Sequence, residues 1–368
     1  MKKKVLFASK NMEIGGMEKA LLALLNSFDF NQYEVTLILE EKKGELLKKI
    51  KKDVIINKYK VSTFKIKIIR KAINFTHRLL WTIKNKNKYD FACCYATYSR
   101  TCNKLARIAS TNNLLYVHSN YYEYYNHNEK LIKDLFNDLN INSFKKVAFV
   151  SNEAKEGIAI FYPELNDRFI VLNNIFDFKE ISKLKNEPVE YTKPLNKTIF
   201  LFVGRLEEES KQVTRLINAI DKVRNVTNDF QLLIIGDGEL KNEYKKIIKT
   251  KNLGNYIKML GRKENPYPYY LMADYVVLVS NFEGFPVIYN EALYLKKPVL
   301  TTIDCSDDAI NVGEDLAVII EKNPNLISEV FIDAINKKIN KKIKQVNYET
   351  INNNRINKFY EIIKEESK

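Results

Sequence analysis

The sequence predicts an α/β protein built from two doubly wound parallel-sheet domains, and three observations predict it. Short apolar runs, typical of buried strands, alternate with helical patterns along nearly the whole chain. A length of 368 residues suits two domains at roughly 150 residues each. The composition, 45% hydrophobic with only 11 glycines and 8 prolines, suits packed cores and excludes collagen-like, low-complexity and wholly disordered chains.

The first half of the chain carries seven predicted strands. They lie at residues 5–9, 34–39, 54–56, 91–96, 114–117, 147–151 and 169–172. Between the first two strands, apolar residues recur at helical spacing on one face, and they are Met17, Leu21, Leu24, Leu25 and Phe28. Strands separated by helices indicate parallel pairing through βαβ units.

The second half repeats this order with six predicted strands. They lie at residues 198–203, 231–235, 257–260, 275–280, 298–302 and 316–320. A polar segment containing Pro188 and Pro194 separates the two halves, and we predict the interdomain linker there. The predicted parts are a first domain at 1–177, the linker at 178–197, a second domain at 198–347, and a terminal helix at about 348–368 that packs back on the first domain. Two such domains place a ligand in a cleft between them, at the carboxyl ends of the strands.

The sequence shows no sign of a membrane span or a secretory signal. No apolar run approaches the roughly 18 residues that a spanning helix needs. The start of the chain is basic, but its apolar stretch covers only residues 5–8, which is too short for a signal peptide. Four cysteines, Cys93, Cys94, Cys102 and Cys305, form no CxxC pair and no metal-ligand spacing. We therefore expect a reduced, cytoplasmic protein without structural zinc.

Most of the formal net charge of +15 lies in one segment of the first half. From Lys42 to Lys88 there are 16 lysines and arginines, against only Glu45 and Asp53. Residues 64–75 mix large apolar side chains with cations, a pattern typical of a helix that lies on a membrane surface. We predict that this segment docks on an anionic membrane surface. An ordinary solvated face of a lysine-rich protein is the alternative.

Glycines and cations mark the first candidate site. Seven of the eleven glycines follow a predicted strand or precede a predicted helix, and they are Gly15, Gly16, Gly204, Gly236, Gly238, Gly261 and Gly284. Arg205 follows the first strand of the second half, and Lys211 lies near the start of the next helix. A guanidinium and an ammonium above a helix N-terminus suit a diphosphate. Taken alone, two solvated loop cations are the alternative.

A second polar group follows the fourth predicted strand of the second half. Glu283 precedes a helix that we predict to begin at Pro286, because proline is favoured at the first helical position. The N–H groups of Val287 and Ile288 then lack intrahelical acceptors and can bind an anion. Glu291 lies five residues beyond Pro286, which is about 7.5 Å along the helix axis. Two carboxylates beside a phosphate-binding helix end predict a nucleotide sugar as the ligand.

These motifs resemble, in order and spacing, those of glycosyltransferase family 4. The family signature of two glutamates separated by seven residues is present as Glu283 and Glu291. The other similar motifs are Gly15-Gly16-Met17-Glu18, Tyr116-Val117-His118-Ser119, Asn174-Ile175-Phe176-Asp177, Gly204-Arg205-Leu206 with Lys211, Ile234-Ile235-Gly236-Asp237-Gly238, and Ala273-Asp274 with Ser280. The resemblance covers nearly the whole chain. Two departures are the interval from Arg205 to Lys211, which is one residue longer than the common form, and Met17, where the family often has a smaller residue.

The resemblance implies a GT-B fold, with an acceptor-binding N-terminal domain and a donor-binding C-terminal domain facing a central cleft. It implies retaining, metal-independent hexosyl transfer from a nucleotide-diphosphate sugar, with UDP as the expected nucleotide, and it implies no cofactor. The implied acceptor is a glycan or a lipid-linked glycan. The implied process is bacterial cell-surface polysaccharide biosynthesis (capsule, exopolysaccharide, lipopolysaccharide or teichoic acid) at the inner face of the plasma membrane.

The resemblance also implies a role for each matching residue. Arg205 and Lys211 would hold the donor diphosphate. Glu283 would contact the donor sugar, Glu291 the ribose hydroxyls, and His118 would position the reacting sugar. The implied catalytic residues are Glu283, His118, Arg205 and Lys211. The further implied donor-site residues are Gly16, Gly204, Arg262, Lys263, Gly284, Phe285 and Val287, with the backbone at Arg262 and Lys263 framing the base.

The absence of a D-x-D motif agrees with metal-independent transfer. Asp304, Asp307 and Asp308 do not form this motif, and we predict a polar loop and helix start there. A GT-B phosphorylase or nucleotide-sugar epimerase is the enzymatic alternative, which the Gly15-Gly16 loop and the absence of a cofactor lysine motif disfavour. Nucleic-acid binding through the basic surface is the non-enzymatic alternative. No helix-turn-helix, RRM or zinc module supports it, so we expect no nucleic-acid partner.

Overall fold

The chain folds into two compact units, each with its own parallel sheet and hydrophobic core. Unit 1 comprises Met1–Phe176 and Glu349–Lys368, and unit 2 comprises Asp177–Tyr348. The structure is a computed structural model, and it describes residues 1–303, 317–339 and 346–365. Across these described ranges, none of the helices has the length and apolar character required to span a bilayer.

Seven strands form the sheet of unit 1. They are β1 (Lys3–Ser9), β2 (Tyr33–Leu39), β3 (Ile55–Lys58), β4 (Phe91–Cys94), β5 (Asn113–Val117), β6 (Lys146–Phe149) and β7 (Phe169–Val171). All neighbouring strands pair in parallel, in the order β3-β2-β1-β4-β5-β6-β7. The central strands β4 and β5 are buried throughout, as expected for a parallel sheet covered on both faces.

Six helices connect these strands. They are α1 (Gly16–Asn26), α2 (Lys67–Asn85), α3 (Arg100–Ala109), α4 (Tyr121–Tyr124), α5 (Glu129–Asp138) and α6 (Asn152–Ala159), with short 3₁₀ turns at Glu45–Lys49, Ile141–Ser143 and Pro163–Arg168. Four of the helices begin at a side-chain cap. The side-chain oxygens of Ser99, Asn120, Asn128 and Ser151 each accept a hydrogen bond from the backbone N–H three residues further on, which satisfies a donor that the helix leaves unpaired.

Six strands form the sheet of unit 2. They are β8 (Thr198–Val203), β9 (Phe230–Ile235), β10 (Ile257–Gly261), β11 (Tyr275–Leu278), β12 (Val299–Thr301) and β13 (Ala317–Ile319). They pair in parallel in the order β10-β9-β8-β11-β12-β13. The described helices of this unit are α7 (Phe178–Leu184), α8 (Val213–Val223), α9 (Lys241–Thr250), α10 (Tyr267–Met272), α11 (Val287–Tyr294) and α12 (Pro324–Ile335).

The last helix, α13 (Tyr348–Lys364), packs on unit 1 from Glu349 onward. The ring of Phe359 lies 5.8 Å from the rings of Phe7 and Phe91, centroid to centroid. Tyr360 stacks on Tyr33 at 4.8 Å. The apolar face of this helix therefore completes the core of the first sheet, although the helix follows the whole of unit 2 in sequence.

The predicted α/β architecture with two parallel sheets is confirmed, and each predicted strand has a counterpart whose ends differ by at most two residues. The segment predicted as an irregular linker at 178–197 differs, because it begins with helix α7. The Asp177 carboxylate caps this helix by accepting from the Glu180 N–H at 2.9 Å. A helix of seven residues shows too few periodic positions to be recognised from sequence. The predicted loop at Asp304, Asp307 and Asp308 lies outside the described residues, as does Cys305.

The strand order reverses at one place in each sheet. In unit 1 it reverses between β1 and β4, and in unit 2 between β8 and β11. Loops leaving two such strands run in opposite directions, which opens a crevice at their carboxyl ends, where doubly wound sheets bind ligands. The loops after β8 and β11 therefore mark the candidate site of unit 2, and the loops after β1, β4 and β5 mark that of unit 1.

Candidate functional site

Glycines bring three strand ends of unit 2 into close contact. The Gly204 N–H donates to the Ile235 carbonyl and the Gly236 N–H donates to the Gly261 carbonyl, both at 3.0 Å. A Cβ atom at Gly236 would lie 1.8 Å from the Gly204 carbonyl oxygen, and one at Gly238 would lie 2.3 Å from the Leu206 carbonyl oxygen. Only glycine fits where backbones approach this closely. At the carboxyl ends of β8, β9 and β10, the surface at these glycines therefore consists of backbone atoms without side chains.

The loop after β8 is held in shape by the Glu207 carboxylate. It accepts from the N–H and hydroxyl of Ser210, at 3.1 and 2.5 Å, and from the Lys211 N–H at 3.2 Å. These bonds fix the loop that carries the two predicted phosphate ligands. The Arg205 side chain is exposed, and no described residue accepts a hydrogen bond from its guanidinium. Arg205 is therefore available to bind an anion.

The structure brings Lys211 and Glu283 together from the two loops at the strand reversal. Lys211 Nζ lies 2.5 Å from Glu283 Oε1, and both side chains are mostly buried. The fully buried Ser280 hydroxyl donates to the same oxygen at 2.7 Å. Among the described residues, both hydrogen bonds to this carboxylate use Oε1, and Oε2 accepts none. Glu283 is thus oriented at one oxygen while the other can accept from a ligand hydroxyl.

Helix α11 begins one residue later than the sequence predicted. Pro286 has an extended backbone, with ψ of 105°, and occupies the N-cap position rather than the first helical position. Val287 and Ile288 are the first two helical residues, so their N–H groups have no acceptor within the helix. Gly284 is half-buried and Phe285 is buried beside this helix start. A bound phosphate at this helix end stays a prediction.

Glu291, to which the resemblance assigns the ribose hydroxyls, lies in the interior of unit 2. Its side chain is buried, at 4% exposure. The Tyr270 hydroxyl donates to Oε2 at 2.7 Å, and the Tyr267 hydroxyl donates to Oε1 at 3.3 Å. Burial, and then the nearby Glu291 carboxylate, raises the pKa of Tyr270 well above its usual value. Both tyrosines are on α10, and sequence reasoning missed them because nothing in their spacing points to a residue more than twenty positions away.

Arg262 and Lys263 follow β10 and border the same edge of the sheet. Arg262 is exposed, and it is close enough to Asp237 to contribute to the lowered pKa of that carboxyl, whose main cause is a hydrogen bond from Lys241. Lys263 Nζ lies 6.0 Å from the centroid of the Tyr269 ring. The site residues predicted in the second half therefore come from the loops after β8, β10 and β11, together with α11.

His118 belongs to unit 1, at the carboxyl end of β5. Its ring packs between Tyr95 and Tyr116, at centroid distances of 4.3 and 4.2 Å. Both ring nitrogens are buried, and neither has a hydrogen-bond partner among the described residues. Burial lowers the pKa of His118 to about 3. The imidazole is therefore neutral at pH 7, and it offers one donor and one acceptor to a ligand.

Gly16 is the first residue of α1, directly after the loop that leaves β1. Gly15 caps this helix without a side-chain hydrogen bond, and a Cβ atom there would lie 2.3 Å from Glu18 Oε2. The helix start thus presents backbone N–H groups at the strand reversal of unit 1. Buried polar atoms that sequence reasoning missed are Ser9 Oγ, Asn120 Nδ2, Asn174 Oδ1 and Asn290 Oδ1, and none of these has a partner within the described part of the chain. Over the same residues, His, Cys, Asp and Glu form no cluster of three that could hold a metal ion.

A family profile and several known proteins are similar in sequence to part of this chain. Residues 185–353 match the family profile described as Glycosyl transferases group 1. An uncharacterised glycosyltransferase of Methanocaldococcus jannaschii is 33% identical over 158 residues, which is 42% of this chain and 38% of that protein. A Campylobacter jejuni N-acetylgalactosaminyltransferase, named for a diphospho-undecaprenol substrate, is 32% identical over 145 residues, 39% of this chain and 38% of that protein. The matched region thus spans about two fifths of the length of these curated relatives.

Among solved structures, the Anabaena protein HepE in complex with UDP and glucose is similar over 98% of both chains, with a TM-score of 0.72 and 17% identity. This likeness shows that the fold of the whole chain, with both parallel-sheet units, is of the GT-B type. The family match covers the loops that carry Arg205, Lys211, Glu283 and Glu291. Residues 185–353 of this GT-B chain therefore match the glycosyl transferases group 1 profile, and the match includes the loops of the candidate site.

Proposed function

We propose that this protein is a glycosyltransferase that moves a sugar from a nucleotide-diphosphate sugar to a glycan or lipid-linked acceptor in cell-surface polysaccharide biosynthesis. One observation carries the proposal. At the strand reversal of unit 2, two loops separated by about seventy residues pair Lys211 with Glu283, and the first of these loops also carries the exposed Arg205. The relatives named as glycosyltransferases support the same class of reaction.

The donor diphosphate is bound by cations and helix N–H groups in this proposal, and the transfer needs no metal ion. Arg205 and Lys211 supply two positive charges, and the start of α11 supplies the N–H groups of Val287 and Ile288. These donors stabilise the charge that develops on the leaving diphosphate. Removing one such donor typically costs about 3 kcal/mol of transition-state stabilisation, or roughly 10²-fold in rate.

We propose that the transfer retains the anomeric configuration through a front-face reaction. The bond from the anomeric carbon to the β-phosphate oxygen breaks, and the bond to the acceptor oxygen forms on the same face. The acceptor proton passes to the leaving phosphate oxygen, so the products are the glycoside and the nucleoside diphosphate. Lys211 and Ser280 hold Glu283, which suits a role in orienting the donor sugar. The neutral His118 suits hydrogen bonding to a sugar hydroxyl.

We propose UDP as the nucleotide and a lipid-linked glycan as the acceptor. The solved complex of HepE with UDP and glucose supports the nucleotide. The Campylobacter relative, named for a diphospho-undecaprenol substrate, supports a lipid-linked acceptor. A lipid-linked acceptor places the reaction at a membrane surface, and helix α2 of unit 1 has an exposed face that suits such a surface.

Helix α2 presents an apolar face to solvent. Ile73, His77 and Trp81 are half-buried on the side that faces the protein, and Trp81 packs against the core of unit 1. The opposite side carries exposed apolar residues at helical spacing, namely Ile68, Ala72, Phe75, Leu79 and Ile83. Cations flank this face, and they are Lys67, Arg70, Lys71, Arg78 and Lys84. We therefore propose that α2 docks on an anionic membrane surface, to which each nearby Lys or Arg contributes about 1 kcal/mol.

The test of the enzymatic proposal is nucleotide release from a panel of UDP-, GDP-, ADP- and TDP-sugars in the presence of EDTA. We expect release from UDP-sugars that EDTA leaves unchanged and that Arg205→Ala lowers by roughly 10²-fold. Replacing Lys258, an exposed lysine on β10, by Ala provides a control that removes a cation outside the site. Inhibition by EDTA would overturn metal independence, and failure of every nucleotide sugar to bind would overturn the transferase assignment.

A further inference from the structure

Four tyrosine rings gather at the carboxyl edge of the sheet in unit 1. Tyr121, Tyr124 and Tyr125 follow β5, and Tyr98 follows the neighbouring strand β4. The Tyr124 and Tyr125 rings lie 4.9 Å apart, and both lie within 6.3 Å of Tyr121, centroid to centroid. Burial raises the pKa of Tyr121, and the nearby phenols of Tyr125, Tyr124 and Tyr98 add to the shift. Tyr121, Tyr124 and Tyr125 form one ring cluster, and Tyr98 lies close enough to Tyr121 to affect its pKa. We call these four residues the tyrosine platform.

The platform has a fixed base and an open surface. Tyr121 packs on Phe136 of the core, at a centroid distance of 5.8 Å, which anchors the short helix α4. Tyr124 and Tyr125 are only half-buried, and Tyr98 is 50% exposed. Partly exposed aromatic rings that are grouped in one patch are typical of surfaces that bind a ligand or a partner. The exposed rings here form an aromatic surface beside the strand reversal, with Lys10 Nζ at 5.9 Å from the Tyr98 centroid.

A buried amide next to the platform has an unused donor. Asn120 is 1% exposed, and its Oδ1 caps α4 by accepting from the Glu123 N–H at 3.2 Å. Its Nδ2 has no hydrogen-bond partner among the described residues, and neither have the ring nitrogens of His118 two positions earlier. An unpaired buried polar group is unfavourable and rare in folded proteins, so it points to a ligand that pairs with it. These groups are uncharged, so the ligand that matches them carries neutral hydroxyl or carbonyl groups.

The combination of an aromatic surface with neutral hydrogen-bonding groups fits one class of ligand. A pyranose ring presents an apolar C–H face, which packs on an aromatic ring, and a rim of hydroxyls, which pair with amide and imidazole groups. Sites for such ligands consist mostly of aromatic surface with a few placed polar groups. The unpartnered buried groups at this site, the Asn120 amide and the His118 imidazole, are neutral and suit sugar hydroxyls.

We infer that the tyrosine platform, together with Asn120 Nδ2, is a pyranose-binding subsite for the acceptor glycan. The inference rests on the proposed transferase function and adds the residues that hold the acceptor. Tyr98 and Tyr124 stack on the sugar ring, and the Asn120 amide donates to a hydroxyl on its rim. In this proposal the acceptor is recognised in unit 1 by shape and neutral hydrogen bonds, whereas the donor site of unit 2 contains Arg205 and Lys211.

The experiment measures sugar binding and nucleotide binding separately on the full-length protein. Saturation-transfer NMR detects the methyl α- and β-pyranosides of glucose, galactose, N-acetylglucosamine and N-acetylgalactosamine in the presence of saturating UDP, and calorimetry gives the Kd of UDP. The variants are Tyr98→Ala and Asn120→Ser, since serine still caps a helix but lacks the amide donor. The control is Ile160→Ala, which removes an exposed apolar side chain of unit 1 outside the platform and outside α2.

We expect at least one pyranoside to bind, and each platform variant to weaken its binding at least fivefold. The control variant should bind it as the wild type does, and all variants should keep the Kd of UDP within twofold. Sugar binding that both platform variants leave unchanged overturns the inference, as does a protein that binds UDP but none of the pyranosides. A wild type that binds neither UDP nor any pyranoside would instead contradict the proposed function itself.

Discussion

Lys211 and Glu283 form an ion pair, so the effect of replacing one of them depends on the other. Lys211 lies at the end of the loop that the Glu207 carboxylate stabilises, and Glu283 lies in the loop that precedes α11. Because both side chains are mostly buried, neither charge can be removed without leaving the other poorly solvated. Their separate contributions to activity are therefore coupled.

This coupling predicts a non-additive pair of substitutions. Lys211→Met and Glu283→Gln should each lower kcat/KM by roughly 10²-fold, since each removes a group aimed at the donor. The double variant should fall short of the product of the two losses, because the second substitution relieves the unpaired charge left by the first. Steady-state nucleotide release measures all three variants. Glu264→Gln, at an exposed position, is the control, and fully multiplicative losses would show that the two residues act independently.

His118 predicts a pH dependence of stability. Its folded-state pKa of about 3 lies below the value of about 6.5 expected in the unfolded chain, so the unfolded state binds the extra proton between these values. The contribution of His118 to stability is therefore complete above pH 6.5 and decreases as the pH falls toward 3, by at most about 1.4 kcal/mol per pH unit.

The measurement is urea denaturation at pH 7 and pH 5 of the wild type and His118→Gln. The variant should lose less unfolding free energy between these pH values than the wild type, whatever its stability at pH 7. Leu195→Gln, which changes no titratable group at an exposed position, should keep the wild-type difference. Equal losses in the wild type and His118→Gln would mean that His118 is not buried in its neutral form.

At the scale of elements, α10 and α11 are joined through the carboxylate of Glu291. Tyr270 and Tyr267 on α10 donate to a carboxylate that α11 carries into the interior. These bonds satisfy a charged group that is almost fully removed from water, which would otherwise oppose the packing of the two helices. The hydroxyl groups of Tyr267 and Tyr270 therefore help to hold α11 in position. They thereby also help to hold the N-terminus of α11, which follows the loop that carries Glu283.

Tyr270→Phe should destabilise unit 2. A hydrogen bond to a charged group contributes about 1.5–3 kcal/mol, and Tyr270→Phe removes the shorter of the two bonds that α10 donates to the Glu291 carboxylate. Thermal and urea unfolding measure the effect. Tyr256→Phe, whose hydroxyl bonds to the exposed Asn228, is the matched control and should cost less. An equal loss of unfolding free energy in the two variants would contradict a charged Glu291 that Tyr270 stabilises. Adding Glu291→Gln to Tyr270→Phe should reduce the loss, because it removes the buried charge.

Sequence patterns predicted the elements better than the side-chain partners. The strands were recognisable because a parallel sheet buries both faces, which makes each strand a continuous apolar run. The helix start at Pro286 was predicted one position early, since proline fixes φ but leaves ψ free to be extended. The burial of Glu291 was not predictable, because its partners lie on another helix. The pairing of Lys211 with Glu283 became apparent only when the strand order placed their loops side by side.

At the scale of the whole molecule, both units use the same strand order, with the reversal beside the first strand of each sheet. The two edges differ in chemistry. The edge of unit 2 carries Arg205 and the pair of Lys211 and Glu283, whereas the edge of unit 1 carries the tyrosine platform, with Lys10 beside Tyr98, and the unpaired polar groups of Asn120 and His118. This division matches a charged donor diphosphate and a neutral acceptor glycan. The positive charge of unit 1 lies instead in the segment from Lys42 to Lys88, which includes α2.

The exposed apolar face of α2 predicts binding to anionic membranes. Ile68 is 79% exposed and Ile83 is 73% exposed, and both should insert while the flanking cations contact lipid phosphates. In sedimentation with vesicles, we expect binding to phosphatidylcholine–phosphatidylglycerol mixtures at low salt, weaker binding at high salt, and little binding to phosphatidylcholine alone, because salt screens the cations. The double variant Ile68→Ser/Ile83→Ser should reduce binding at low salt, whereas Leu195→Ser, at a similarly exposed site of unit 2, should not. Wild-type protein that stays in the supernatant with anionic vesicles at low salt would leave α2 as an ordinary solvated helix.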